Sequence, residues 1–156
     1  MKDAAGNVVH FDGTIEDITE RKKAERQLQD QKAYFETLFS NAPEAIILHT
    51  NEDRIRDVNR EFIRMFGYSK AEVVGRPIDD VVAPDGFREE AADVSRRVLS
   101  GERVEIDTKR RRKDGALIDV EISSQKLVFG NRPAQLVLAL DVTARKKAEA
   151  ALRESE

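Results

Sequence analysis

Cysteine and histidine, the side chains used most often for nucleophilic catalysis and for binding transition metals, are absent or scarce in this chain of 156 residues. There is no cysteine, so disulfides, thiolate catalysis and cysteine-ligated metals are excluded. With only two histidines, a zinc site is not favoured either. The adjacent glutamates Glu89-Glu90 fall in a predicted helix, where consecutive residues do not face each other. Motifs for phosphate loops, nucleophile elbows or zinc proteases do not occur. We therefore predict no catalytic residue and no metal site.

The charge pattern argues against nucleic acid as a partner. Acidic and basic residues nearly balance, at 30 against 27. The densest basic run is Arg110-Arg111-Arg112-Lys113. On a strand its side chains alternate between the two faces, which splits the basic patch. No apolar run approaches the roughly 20 residues of a membrane span, and the first residues do not resemble a signal peptide. We expect a cytoplasmic protein with no direct membrane insertion.

A nine-residue motif occurs twice, at residues 17–25 and again 124 positions later at residues 141–149. The two copies differ at two positions. Each contains an Asp-x-Thr sequence in which the threonine is a natural helix N-cap, after an apolar strand. The repeat predicts one complete unit between the copies. It also predicts that residues 1–19 are the C-terminal strand and junction of a preceding unit.

A helix is predicted from Thr19 to about Phe39, and residues 20–40 form a connecting segment between units. The spacing of its apolar residues alternates between four and three, which is typical of a coiled-coil seam that Gln31 interrupts. The predicted seam residues are Ala24, Leu28, Phe35 and Leu38. This pattern favours a homodimer formed through the helix. A helix docked on its own domain is the alternative.

The region between the two copies alternates between strand and helix patterns. Two short strands, 45–50 and 54–58, precede short helices capped by Asn59 and Ser69. An amphipathic helix over 85–99 follows, and then three strands separated by Asp114-Gly115 and Gly130-Asn131 turns. The pattern predicts an α+β fold with an antiparallel sheet, in which the very apolar last strand is central.

Residues 41–143 resemble a PAS domain, the small sensory module of bacterial signalling proteins. The matching motifs are Asn41-Ala42-Pro43-Glu44-Ala45-Ile46, Val58-Asn59-Arg60-Glu61-Phe62, Phe66-Gly67-Tyr68-Ser69, Val74-Gly75-Arg76, Arg112-Lys113-Asp114-Gly115 and Asp141-Val142-Thr143. The resemblance implies a five-stranded antiparallel sheet in the order 2-1-5-4-3, with helices on one face. It also implies that residues 1–19 end a preceding PAS domain and that residues 144–156 begin an exit signalling helix.

The resemblance implies a ligand pocket between the sheet and the long helix, where PAS domains hold a flavin, a haem or a small metabolite. The candidate lining residues are Ile46, Leu48, Asn59, Phe62, Val81, Val94, Val98, Ile106, Val120, Ile122 and Leu138. The lack of cysteine argues against a thiol-adduct flavin. The haem sensors place a histidine on the long helix, where this chain has Glu90, so haem is not favoured. No cofactor or a small metabolite is the expectation, and a close-packed core formed by the same residues is the alternative.

By the same resemblance, the chain is a non-catalytic sensory and relay module of a larger protein, such as a sensor histidine kinase or a cyclic-di-nucleotide enzyme. Its partners would be the adjacent domains of that parent chain. The predicted relay residues are Asp141, Val142 and Thr143, where the last strand runs into the exit helix. The alternative function is a ligand-free dimerisation spacer.

Overall fold

The computed structural model describes residues 14–129 and 131–155, and it divides the chain into two compact units, 1–38 and 39–156. The elements in order are α1 (Thr14–Asn41), β1 (Ala45–His49), β2 (Ile55–Val58), α2 (Arg60–Phe66), α3 (Lys70–Val73), α4 (Ile78–Val82), α5 (Arg88–Leu99), β3 (Val104–Arg111), β4 (Leu117–Phe129), β5 (Arg132–Asp141) and α6 (Thr143–Ser155). Among the described residues, no helix is long and apolar enough to cross a membrane.

The five strands form one antiparallel sheet in the order β2-β1-β5-β4-β3, which confirms the predicted fold and topology. The apolar strand β5 lies at its centre, between β1 and β4. Ile47 is opposite Val137, and His49 is opposite Gln135. Because directly opposed residues point to the same side of a sheet, this register decides which side chains share a face.

The hydrophobic core lies on one side of the sheet, which we call the helix face. Helices α2 to α4 contribute Phe62, Phe66, Val73 and Val81 to this core, all of them at most 1% exposed. The rings of Phe62 and Phe66 lie 4.9 Å apart between centroids. Helix α5 adds a smaller cluster through Val94 and Val98, as its apolar stripe predicts.

Two short helices are fixed by the predicted caps. The side chain of Asn59 accepts a hydrogen bond from the amide of Phe62 at the start of α2. Ser69 and Glu72 form a reciprocal capping box at the start of α3. Gly67, with φ of 83°, ends α2 in the left-handed conformation that glycine adopts without strain. These caps let helices of four to seven residues persist beside the sheet.

The start of α1 differs from the prediction. The helix begins at Thr14, so Thr19 lies inside it, and the N-cap assignment of Thr19 is wrong. The Thr19 hydroxyl donates to the carbonyl of Ile15, at 2.9 Å, a hydrogen bond that threonine side chains commonly form inside a helix. Glu16 and Asp17 in the first turn favour this earlier start through the helix dipole. Residues 14–19, predicted to belong to a strand and its junction, are helical, and residues 1–13 lie outside the described residues.

Candidate functional site

A small cavity of about 40 Å³ lies between the helix face and helices α4 and α5. Its volume suits one or two water molecules. It is far below the roughly 300 Å³ at which pockets for drug-sized ligands begin. Its lining residues are Ile47, His49, Phe66, Ile78, Asp79, Val82, Ala91, Val94, Ser95, Arg110, Ile122, Ser124, Gln135, Val137 and Ala139.

Most predicted pocket residues lie on the helix face, but three do not. Val94 and Ile122 line the cavity. Those that pack in or against the surrounding core are Phe62, Val81, Val98, Ile106 and Val120.

Ile46, Leu48 and Leu138 point to the other side of the sheet, and their assignment to the pocket is wrong. In β1 the buried positions are Ala45, Ile47 and His49, and the residues between them are only half-buried. Leu138 is paired with Ile46, so it lies on that same side. Because β1 and β5 are apolar on both faces, their sequence carries no alternation from which the inner face can be read.

Asn59 is a structural residue. Its side-chain oxygen accepts from the amides of Ile46 and Phe62, at 2.8 and 3.0 Å. Its side-chain nitrogen donates to the carbonyls of Phe39 and Glu44, both at 3.0 Å. All four hydrogen-bonding positions of the amide are therefore used to hold the start of α2 against β1. None is left for a ligand.

Two buried polar residues of the cavity, His49 and Gln135, were not among the predicted site residues. His49, the last residue of β1, is 2% exposed. Its Nδ1 lies 3.1 Å from the carbonyl oxygen of Thr50, which only accepts, so Nδ1 carries the hydrogen. Burial lowers the pKa of His49, and this outweighs the opposing effects of the Thr50 hydrogen bond and of Asp53. Gln135 is 1% exposed, and its Nε2 has no hydrogen-bond partner among the described residues.

Arg110 links the cavity to helix α5. Its side chain is 7% exposed, and Nη1 lies 3.0 Å from Oε1 of Glu90. The Thr108 hydroxyl donates to the same carboxylate, at 2.7 Å from Oε2. Glu90, which stands where a haem-binding histidine would lie, is therefore held by β3. Alternation along β3 could have indicated Arg110, because it shares the helix face with Val104, Ile106 and Thr108.

Asp79 of α4 is an acidic residue of the cavity wall. Burial raises its pKa, and repulsion from Asp53 adds to the shift. Attraction to Arg110 and Arg88 opposes both effects. The cavity thus has a neutral imidazole, a free amide donor and a guanidinium already paired with a carboxylate.

The predicted relay residues form a second site, a set of hydrogen bonds that we call the junction clip. Val142 donates its amide to the carbonyl of Asp119 in β4, at 2.8 Å. The amide of Asp119 donates in return to the Thr143 hydroxyl, at 3.0 Å. The side chain of Asp141 accepts from the amide of Thr143, at 2.9 Å.

The residue roles within the clip differ from those expected. The Asp-x-Thr pattern predicts Thr143 as the N-cap of α6. Instead, Asp141 accepts from the first amide of α6, and the Thr143 hydroxyl holds β4. The ion pair between Arg145 and Glu121, at 2.7 Å, extends the attachment by another residue of β4.

Comparison with known proteins identifies the family. The PAS domain family matches residues 43–144, which is more than half of the chain, so the chain belongs to it. The PAS domain of an HTR-like protein from Haloarcula marismortui superposes with a TM-score of 0.67 at 26% identity, covering 77% of this chain and 98% of that structure.

Two relatives of this chain are a sensor protein and a sporulation kinase. Sensor protein FixL of Bradyrhizobium diazoefficiens is 25% identical over 99% of this chain and 31% of its own length. Sporulation kinase E of Bacillus subtilis is 25% identical over 91% of this chain and 19% of its own length. The chain thus spans less than a third of either relative. It is a sensory PAS module, regulatory rather than catalytic.

Proposed function

We propose that this chain relays conformational signals within a multidomain bacterial signalling protein of the cytoplasm, such as a sensor histidine kinase or a cyclic-di-nucleotide enzyme. The proposal places a PAS domain at 41–143, a connecting helix before it and the start of a signalling helix after it. The single observation that carries the proposal is the junction clip, because it ties the start of α6 to β4 by two main-chain groups of one residue, Asp119.

The junction clip couples the position of α6 to the position of the sheet. A shift of β4 moves both the amide and the carbonyl of Asp119, so Val142 and Thr143 must move with it or lose their hydrogen bonds. One such bond contributes about 1 kcal/mol. Two or three of them match the 1–3 kcal/mol, approximately, that couples allosteric sites. The clip is therefore strong enough to transmit a signal and weak enough to be reversed.

The cavity is the proposed input. Strand β5 lines it through Gln135, Val137 and Ala139, and ends two residues later at Asp141 of the clip. A small polar molecule that accepts a hydrogen bond from Gln135 Nε2 would act directly on this strand. A flavin or haem does not fit the present volume, and Glu90 is already bound to Arg110 and Thr108.

A ligand-free dimerisation spacer is the second candidate function, favoured by the small volume of the cavity. Absorbance and mass spectra of the purified protein distinguish the signal-input role from the spacer role. A metabolite that co-purifies with the protein and is lost in Gln135→Leu supports the input role. If no metabolite co-purifies with either the native protein or the Gln135→Leu variant, the spacer function is supported.

Association of two copies through α1 is proposed as well. Leu28 and Leu38 on the predicted seam are 66% and 54% exposed. Light scattering should show a dimer that Leu28→Asp dissociates, while Gln29→Asp, adjacent in sequence but off the seam, does not. A monomer at high concentration contradicts this proposal.

The relay itself is tested in the parent protein. Asp141→Ala and Thr143→Ala should leave the domain folded and change the ratio of stimulated to basal output. Ser155→Ala, near the end of α6, is the control because its hydroxyl bonds only within its own helix, to the carbonyl of Leu152. If both junction variants keep the wild-type ratio, the clip is only structural.

A further inference from the structure

The turn between β1 and β2, residues 50–54, holds a carboxylate beside the buried imidazole of the cavity. Oδ1 of Asp53 lies 3.6 Å from Nδ1 of His49, which is beyond hydrogen-bond distance. This oxygen is buried and has no hydrogen-bond partner among the described residues. Buried acceptors are rarely left without a donor, and the donor close to this one is already bound to the carbonyl of Thr50.

The main chain fixes the Asp53 carboxylate in this position. Asp53 has a φ of 62°, and no other non-glycine residue in the described part of the chain has a positive φ. Aspartate enters this left-handed region more readily than most residues, but it needs support from its neighbours. Here its amide donates to the carbonyl of Thr50, at 2.9 Å, and its carbonyl accepts from the amide of Ile78 at the start of α4, at 2.8 Å. The turn is therefore tied to α4.

The charged groups around the cavity repel Asp53 or are already paired. Asp79 of α4 lines the cavity together with His49 and repels Asp53. Arg110 of β3, the guanidinium of the cavity wall, is bound to Glu90 of α5. The cavity residues of α2, β4 and β5 are uncharged. A proton on His49 would therefore bring a positive charge to a carboxylate that has no other ion pair within the described residues.

We propose that His49 is a proton switch that acts on the β1–β2 turn. When the imidazole takes a proton from the solvent, Nδ1 and the Asp53 carboxylate close to roughly the 2.8 Å of a charge-assisted hydrogen bond. This contraction pulls on Asp53 and, through its carbonyl, on the start of α4 and the cavity wall. The proposed input cavity then responds to acidification, and this last step alone rests on the proposed function.

NMR spectroscopy of this chain tests the switch. In a His10→Gln background, the carbon-bound ring protons of His49 are the only imidazole signals. They are followed together with the backbone amides from pH 7.5 downward to the limit of folding. The amides of Asp53 and Ile78 should shift with the same midpoint as the ring. A ring that titrates without these amides, a midpoint below about pH 5, or unfolding before the ring titrates overturns the proposal.

Two matched substitutions in the turn show whether Asp53 is the partner of His49. Asp53→Asn removes the charge and keeps a residue that tolerates the left-handed conformation. It should lower the midpoint of His49 by roughly one pH unit, an about tenfold loss of proton affinity. Glu52→Gln removes an exposed carboxylate from the same turn and should shift the midpoint by less than about 0.2 units. Equal midpoints in the two variants overturn the proposal.

If Asp53→Asn does not fold, the agreement of the three midpoints in the native turn gives the decision. The amide of Lys146 in α6 distinguishes the switch from the relay. A shift of this amide with the His49 midpoint supports both. If Asp53 and Ile78 respond while Lys146 does not, the proton switch is supported and the proposed relay from the cavity to α6 is contradicted.

Discussion

The two faces of the sheet are formed by alternate residues of the same strands, but they are stabilised differently. On β1, Ile47 is 2% exposed on the helix face, whereas its neighbour Ile46 is half-buried on the other side. We call that side the outer face. It combines half-buried residues such as Leu138 with ion pairs such as Lys109–Asp119 and Arg145–Glu121. The helix face excludes water, and the outer face carries the attachment of α6.

The difference in burial between the two faces determines how much each polar group contributes to stability. On the helix face, Arg110 is buried, so loss of its partner would leave a charge without compensation. On the outer face, the partners of each ion pair are partly in water, where such pairs contribute at most about 1 kcal/mol. The main-chain bonds of the junction clip add to the outer-face pairs. We expect stability to depend on the helix face and coupling to depend on the outer face.

The largest difference in the free energy of unfolding is expected between the variants Ile47→Asp and Ile46→Asp. The first change buries an unpaired carboxylate and should cost several kcal/mol, enough to unfold a domain of ordinary stability. The second places the carboxylate at a half-buried position and should cost about 1 kcal/mol. Circular dichroism with urea denaturation checks both. A larger loss of stability for Ile46→Asp would contradict this and support the prediction that Ile46 faces the pocket.

Arg110→Met should have the next largest effect. The change leaves Glu90 and Thr108 without the guanidinium, and since the Glu90 side chain is 36% exposed, we expect about 1–2 kcal/mol. Lys109→Met, the control, concerns the neighbour on the outer face, whose ion pair with Asp119 is partly in water, and it should cost less than about 1 kcal/mol. Addition of Glu90→Gln to Arg110→Met should recover part of the loss, because the carboxylate charge is then gone. No recovery in that double variant would mean that Arg110 acts by packing alone.

The effect of pH should be smaller and should depend on His49. Its folded pKa lies below the ordinary value of 6.5, so the unfolded chain binds the proton more readily. The stability contribution is complete above the unfolded pKa and is lost as the pH falls from there toward the folded pKa. Urea midpoints at pH 7.5 and 5.5, measured in a His10→Gln background, should fall on acidification, and the further change His49→Gln should reduce that fall. If the urea midpoint falls as much in the His49→Gln variant, other titratable groups cause the pH dependence.

The turns and caps follow from local sequence, whereas the full strand order was implied by the resemblance to PAS domains. Asn59, the Ser69 capping box and the centrality of β5 were all predicted correctly. Which side of β1 and β5 faces the helices was not predicted correctly, because a strand that is apolar on both sides shows no alternation of polar and apolar residues. His49 and Gln135 become cavity residues only through the register that pairs them across two strands. The start of α1 was placed too late, because Thr19 follows the cap pattern although Glu16 and Asp17 favour an earlier first turn.

Amide hydrogen exchange tests most directly the central claim that the junction clip joins the sheet to α6. The chosen change, Thr143→Val, keeps the shape of the side chain and removes the oxygen that accepts from Asp119. Loss of about 1 kcal/mol predicts roughly fivefold faster exchange at the amides of Asp119, Val142 and Lys146, the last of which bonds to the Val142 carbonyl. The amide of Ile47, on the far side of β5, should be unaffected. Unchanged exchange at Lys146 in this variant would contradict the account, because α6 would then be held independently of the sheet.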